Sequence, residues 1–268
     1  MTSPAPIPLA ALAFDVRPGE VEANLQCALE GLETAANQGA KILALPEKWS
    51  TSFLPEFSES VRDESDAALA TIHQRARELE MVVVGSAPGG DGAKPFNELH
   101  FLGASGDIRP YCKRTLFSPT GEGRQCAAGT ATPTTVSTPP GRICGLICYD
   151  LRFPELTRNC FWDDADLLVV CAQWPTPRAS ILELLARARA AENQMWVLVC
   201  NRAGAASLGD NRILDFPGTA MLIDPLGEVR ARRDDGGLLV AEADLVLSAE
   251  VRKAVPCRRD ATMAGLKP

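Results

Sequence analysis

The sequence predicts an α+β protein, a layered sandwich with two sheets inside and helices outside. Three observations carry this. Helical patterns fall between strand-like runs early in the chain, hairpin signals recur in the middle and at the end, and neither an internal repeat nor a linker parts two domains. The hairpins exclude a strictly alternating barrel. One domain over residues 1–268 is expected, long enough to bury a sizeable core.

The elements follow in order. Ile7 to Phe14 reads as a strand, and Glu20 to Asn37 as a helix with Val21, Leu25, Leu29 and Leu32 on one face, ended by Gly39. Lys41 to Leu45 is a short apolar strand that stops at Pro46-Glu47. Ser65 to Glu80 is a helix with Leu69, Ile72, Ala76 and Leu79 inward, and His73 beside Ile72 reads as packed or half-exposed. Met81 to Gly85 is a strand, Gly89 to Gly92 a loop, and Phe96 to Leu102 with Ile108 to Cys112 a hairpin turned by Ala104-Ser-Gly-Asp107. Phe117 to Thr132, rich in Gly, Pro and polar residues, reads as a functional loop. Thr134 to Ser137, a Pro-Pro-Gly turn and a strand ending at Cys148 come next, then a short helix from Pro154, a strand from Leu167 to Cys171 and a helix from Ala179 to Asn193. Strands over Trp196–Cys200, Thr219–Asp224, Val229–Arg232 and Leu238–Ala243 precede a last helix, Leu245 to Lys253, and a tail with little periodicity.

Composition narrows the function. A 46% hydrophobic and 23% charged chain is an ordinary globular protein. The net charge of −7 argues against a nucleic-acid surface, and even Arg230, Arg232 and Arg233 run into Asp234 and Asp235. No signal-peptide pattern opens the sequence and no run approaches the roughly 20 apolar residues of a membrane span, so a cytoplasmic protein with a small-molecule partner and no membrane is expected. Nine cysteines without a C-x-x-C pair read as reduced thiols, with one special member. His73 and His100 are the only histidines, so neither a zinc site nor another metal site is expected, and no cofactor is called for.

Three polar residues end apolar strand-like runs: Glu47, Lys113 and Cys148. Strand ends converging on one edge of a sheet are a common place for catalytic groups. With no histidine near such an end, a carboxylate and a lysine must serve the thiol. Glu47 would take its proton and return it to departing ammonia, Lys113 would stabilise thiolate and oxyanion, and the Tyr149 backbone N–H would join it. Each also has a structural reading: a buried cysteine as a small hydrophobe, Glu47 as a cap, Lys113 as a solvated strand end.

In order, Leu45-Pro-Glu47, Lys113-Arg-Thr-Leu-Phe117 and Ile147-Cys148-Tyr-Asp-Leu-Arg-Phe-Pro-Glu155-Leu resemble the nitrilase superfamily of carbon–nitrogen hydrolases. The resemblance continues through Arg187-Ala-Arg-Ala-Ala-Glu192-Asn-Gln194, Asn201-Arg-Ala-Gly204 and Ile223-Asp-Pro-Leu-Gly-Glu228. It implies a four-layer α-β-β-α sandwich, a homodimer through outer helices, and Glu47, Lys113 and Cys148 as base, electrophilic support and nucleophile. It also implies that Glu122 positions substrate and lysine. Cys171-Ala-Gln-Trp174-Pro and Glu192-Asn-Gln194 with Asn201-Arg look most like the omega-amidase branch, which releases ammonia from 2-oxo acid monoamides such as 2-oxoglutaramate; Arg178 is a candidate for the substrate carboxylate or a surface arginine at a helix start. The alternatives are another amidase or nitrilase acting on deaminated glutathione, a carbamoyl compound or a nitrile, and a catalytically silent scaffold. Two departures, Thr115 in place of the histidine of Lys-x-His-Leu and Ile181-Leu182 in place of a His-Trp pair, are expected to reshape the pocket rim.

Overall fold

Period-two burial organises the first sheet of the computed structural model, which describes residues 5–90, 92–106, 108–207 and 212–266. The sheet contains β1 (Ile7–Ala13), β2 (Ile42–Ala44), β3 (Val82–Gly89), β4 (Phe96–Leu102), β5 (Tyr111–Cys112) and the late strand β14 (Gly237–Ala243), in the order β14-β1-β2-β3-β4-β5. Its centre, β1-β2-β3, is parallel and its flanks are antiparallel. Successive side chains of a strand point to opposite faces. Leu9, Ala11, Ala13, Ile42, Ala44, Val82 and Val84 therefore enter the core shared with the second sheet. Ala10, Leu12, Leu43 and Val83 face α1 (Val21–Asn37) and α2 (Glu59–Glu78), meeting Ala28, Leu32 and Ala35 of the first helix and Leu69, Ile72 and Ala76 of the second.

The second sheet has the same plan. It contains β6 (Val136–Thr138), β7 (Gly141–Ile147), β8 (Leu167–Ala172), β9 (Trp196–Asn201), β12 (Ala220–Ile223) and β13 (Val229–Arg233), ordered β13-β12-β9-β8-β7-β6. β7, β8 and β9 are mutually parallel and buried along nearly their whole length, which is why they read as continuous apolar runs. Leu156 and Cys160 of α3 (Pro154–Trp162) and Leu182, Ala186 and Ala190 of α4 (Ala179–Asn193) belong to its core. The result is the expected four-layer α-β-β-α sandwich. The two sheets approach closely where Gly145 on β7 faces Leu99 on β4: a Cβ there would lie 2.7 Å from the leucine side chain.

Several expectations change in detail. α2 starts at Glu59, not Ser65, because the Ser58 hydroxyl accepts the Val61 N–H and caps a first turn in which no side chain is fully buried. β3 continues to Gly89 and forms a hairpin with β4, Gly89 opposite Phe96. β5 keeps only Tyr111 and Cys112, paired antiparallel with β4; of the expected turn before it, Asp107 lies outside the described residues. A hairpin of β10 (Ala203–Ser207) and β11 (Ile213–Pro217) was not expected, nor was α6 (Cys257–Met263) after α5 (Val246–Ala254). The expectation of reduced thiols throughout is corrected at one pair: Cys144 on β7 and Cys160 on α3 stand with Cα atoms 5.9 Å apart and form a disulfide. The remaining cysteines are free. Among the described residues no helix is long and apolar enough to cross a membrane.

Candidate active site

Strand ends from both sheets deliver the site. Glu47 follows β2 and Lys113 follows β5 in the first sheet, while Cys148 follows β7 and Gln173 follows β8 in the second. The structure thus brings together Glu47, Lys113, Cys148, Glu122 and Tyr149, all of which line one cleft. The cleft is walled further by Phe53, Phe117 and Trp174 and bordered by Arg152 and Arg178.

Glu47 is held at every oxygen. Its Oε1 accepts from Lys113 Nζ and from Asn97 Nδ2, each at 2.8 Å, and its Oε2 accepts the Gln173 N–H at 3.1 Å. The Gln173 side-chain amide in turn donates to the Glu47 carbonyl at 2.7 Å. Lys113 Nζ also donates to both Glu122 oxygens, at 2.9 and 2.8 Å, and Glu122 accepts the Phe117 N–H at 2.7 Å. Glu122 stands in the second of two short 3-10 turns, 118–120 and 122–124, so the loop expected to be functional brings a carboxylate into the cleft.

Cys148 opens the turn 148–152 with φ of 47°, in the left-handed region that non-glycine residues seldom adopt. Such strain is retained where the surroundings over-determine it, typically at functional positions. The first N–H groups of a 3-10 turn find no partner within it, and the Tyr149 N–H is one of them. The Tyr149 ring stacks edge-on to Phe117 and Phe153 at 5.0 and 5.3 Å, which fixes this wall of the cleft.

Electrostatics divide the proton between these groups. Burial and the nearby Glu47 carboxylate push the Cys148 thiol well above its ordinary range, and Lys113 and the Gln173 N–H oppose them only in part. Burial works against the Lys113 ammonium, but the Glu122 and Glu47 carboxylates outweigh it and hold the lysine well above its usual range. Burial likewise opposes the Glu122 charge, and Lys113 with the Phe117 N–H holds that carboxyl below the usual range. At rest the thiol is protonated between an ammonium and two carboxylates.

The two sequence departures fall behind the cleft wall. Neither Thr115 nor Ile181-Leu182 lines the cleft itself. Thr115 donates its N–H, at 2.8 Å, and its hydroxyl to Asp150 Oδ1, while the Tyr111 hydroxyl donates to Oδ2 at 2.9 Å. The threonine therefore anchors the turn that follows Cys148. Leu182 is a core residue of α4. Neither histidine lines the cleft: His73 accepts the Gly103 N–H at 3.3 Å, and burial pushes His100 down to about 4, so it is neutral.

Sequence reasoning missed Asn97, Gln173 and Phe53. Gln173 was within reach, since it ends the Leu167 to Ala172 run just as Cys148 ends its own. Asn97 lies inside a strand and Phe53 in a loop, where no period marks them. Arg202 supports Gln173 from beneath, donating to its Oε1 at 3.0 Å and pairing with Asp15 at 2.6 Å.

Residues 8–253 match the family model described as carbon-nitrogen hydrolase. The chain belongs to that family. It is 32% identical to the 2-oxoglutaramate amidase of Bacillus subtilis over 92% of this chain and 95% of that one. It is also 32% identical to the omega-amidase YafV of Escherichia coli K12, over 83% of this chain and 85% of that one. Among solved structures, the carbon–nitrogen hydrolase superfamily protein XC1258 from Xanthomonas campestris, which bears an arsenic adduct in its active site, superposes with a TM-score of 0.83 at 29% identity, covering 96% of this chain and 97% of that one. A Glu-to-Gln mutant of the Nesterenkonia amidase, with acrylamide added to its active-site cysteine, gives a TM-score of 0.77 at 25% identity over 92% of this chain and 99% of that one. The protein is a hydrolase of carbon–nitrogen bonds other than peptide bonds.

Proposed function

We propose that the enzyme is an omega-amidase, releasing ammonia from the terminal amide of 2-oxo acid monoamides such as 2-oxoglutaramate, with Glu47, Lys113 and Cys148 as its catalytic residues. The observation that carries the substrate class is a pair of exposed cations, Arg152 and Arg178, bordering a cleft whose aromatic walls are Phe53, Phe117, Tyr149 and Trp174. The Arg178 guanidinium lies 5.6 Å from the Phe117 ring and Arg152 lies 5.2 Å from the Trp174 ring. Trp174 Nε1 donates to the Arg178 carbonyl at 2.8 Å and ties that residue to the wall. Planar guanidinium groups suit the carboxylate at the far end of such a substrate.

The reaction then runs in two halves. The Cys148 sulfur attacks the amide carbon as its proton passes to Glu47, and Lys113 with the Tyr149 N–H receives the negative charge that develops on the carbonyl oxygen. The C–N bond breaks as Glu47 returns the proton to nitrogen, freeing ammonia and leaving a thioester. Water, deprotonated by Glu47, attacks the thioester, the C–S bond breaks, and the acid leaves as the thiol regains its proton. Glu122 holds Lys113 in place throughout.

Steady-state ammonia release from 2-oxoglutaramate, butyramide and a nitrile, with Cys148→Ala as the blank, tests this reading. The 2-oxo acid amide should have the highest kcat/KM, Arg178→Met should raise its KM about 10- to 100-fold, the loss expected for a charge-assisted contact, and butyramide should be indifferent to that change. Preference for butyramide or the nitrile would overturn the substrate class; full activity in Cys148→Ala would overturn the nucleophile. The cytoplasmic setting and the homodimer belong to the same reading. Sedimentation velocity measures the dimer.

A further inference from the structure

A second buried lysine stands beside the cluster without a part in that reaction. Lys48 follows Glu47 directly and is fully buried, with φ of 44°. Its N–H donates to Ser86 Oγ at 2.8 Å, which holds this turn. Its ammonium donates to Cys126 Sγ at 3.0 Å and lies 4.3 Å from the Phe57 ring centroid and 4.9 Å from that of Phe53. Among the described residues no carboxylate pairs with it directly. Aromatic faces and a thiol are weak compensation for a desolvated ammonium, so an apolar side chain would serve packing better here.

The charge balance of the site supplies a reason for the lysine. Glu47 and Glu122 are two buried carboxylates sharing one ammonium, that of Lys113. Lys48 adds the second cation and makes the buried set neutral. Lys48 and Lys113 look onto the same Phe53 ring, at 4.9 and 5.9 Å. The thiol that Lys48 touches belongs to the Glu122 turn, since the Cys126 N–H donates to the Glu122 carbonyl at 3.0 Å.

We propose that Lys48 is a positioning residue whose buried charge keeps Glu122 ionised, so that Glu122 can hold Lys113 against Glu47 beside the Cys148 sulfur. Three groups favour the Glu122 charge against its burial: Lys113 at the end of β5, the Phe117 N–H, and Lys48 from the loop after β2. Lys48 itself faces Cys126, Phe53 and Phe57. The proposal rests on the catalytic reading above. A wild type that releases ammonia and a silent Cys148→Ala establish that reading first, on any amide that turns over.

Against that baseline, Lys48→Met, Glu122→Gln and the double variant separate the possibilities. Lys48→Met should leave kcat at neutral pH little changed but lower it about tenfold on the acid side of the limb, the worth of one unit in a carboxyl pKa, with KM little changed. Its acid limb should move to higher pH, so that the rate recovers as the pH rises towards neutrality, and on the acid side the double variant should be no slower than Glu122→Gln alone. A wild-type pH profile in Lys48→Met, or losses that multiply in the double variant, would overturn the proposal. If Lys48→Met does not fold, recovery of the fold in Lys48→Met/Glu122→Gln supports it, because both charges leave together, and failure to recover overturns it.

Discussion

Cys148 carries a proton at rest because two influences agree: burial disfavours the thiolate, and the Glu47 carboxylate repels it. The same carboxylate is the proton acceptor of the proposed reaction, so its two effects can be separated by neutralising it. Glu47→Gln removes the base and should cut kcat by about 100- to 10,000-fold, the usual contribution of a general base. It also removes a charge that raises the thiol, leaving Lys113 to favour the thiolate. Glu47→Gln should therefore still take one more equivalent of acrylamide than Glu47→Gln/Cys148→Ala, read by intact mass, and equal uptake by the two would show that Glu47 is needed to form the thiolate itself. At this scale the sequence was legible wherever a polar residue ended an apolar run, as for Glu47, Lys113 and Cys148. Glu122 was found by resemblance alone. Lys48 was hidden because nothing in a Pro-Glu-Lys-Trp string tells a buried lysine from a solvated one.

Secondary structure delivers these side chains because strands stop where the chemistry starts. β2, β7 and β8, which pair in parallel, and the short antiparallel β5 each end within three residues of a site group, and the buried parallel strands are stiff enough to fix where the next side chain emerges. Those three were legible for the same reason, as continuous apolar runs. What was illegible lies outside the shared core. β10 and β11 bury only Ala206 and Phe216, which join Phe53 in a small satellite cluster, and α6 buries no residue. Without a buried face there is no period to read. The start of α2 was lost likewise, because its first two turns are mostly exposed and only the Ser58 cap marks them. Ser58→Ala should lower stability by about 1 kcal/mol, the typical worth of such a cap, and leave kcat unchanged, since α2 lies on the outer face of the first sheet. Urea denaturation followed by helical circular dichroism measures the first effect, and an unchanged midpoint would deny the cap its role.

The site exists only where the two sheets meet. Glu47, Asn97 and Lys113 come from one, Cys148 and Gln173 from the other, and the bonds of Gln173 to Glu47 cross the seam. Active-site protonation is consequently tied to the stability of the whole molecule. Glu122 is held below the usual carboxylate range in the folded protein, with its burial outweighed by Lys113. The unfolded chain therefore takes up that proton at a higher pH than the folded one. The stability it contributes is complete above the ordinary glutamate range and is lost as pH falls through the lower folded value. Asp150 acts in the opposite sense, since burial raises it despite the donors on its oxygens, but it is common to wild type and to a Glu122 variant. In Glu122→Gln nothing titrates at this position, so its urea midpoint should fall less steeply than that of the wild type between about pH 5 and pH 3, the region in which acid denaturation protonates paired carboxylates. The variant should also start lower at neutral pH, because Lys113 keeps one carboxylate instead of two and remains buried. Parallel acid slopes for the two proteins would mean that Glu122 is not depressed in the folded state, and that the charge of Lys113 is balanced by Glu47 alone.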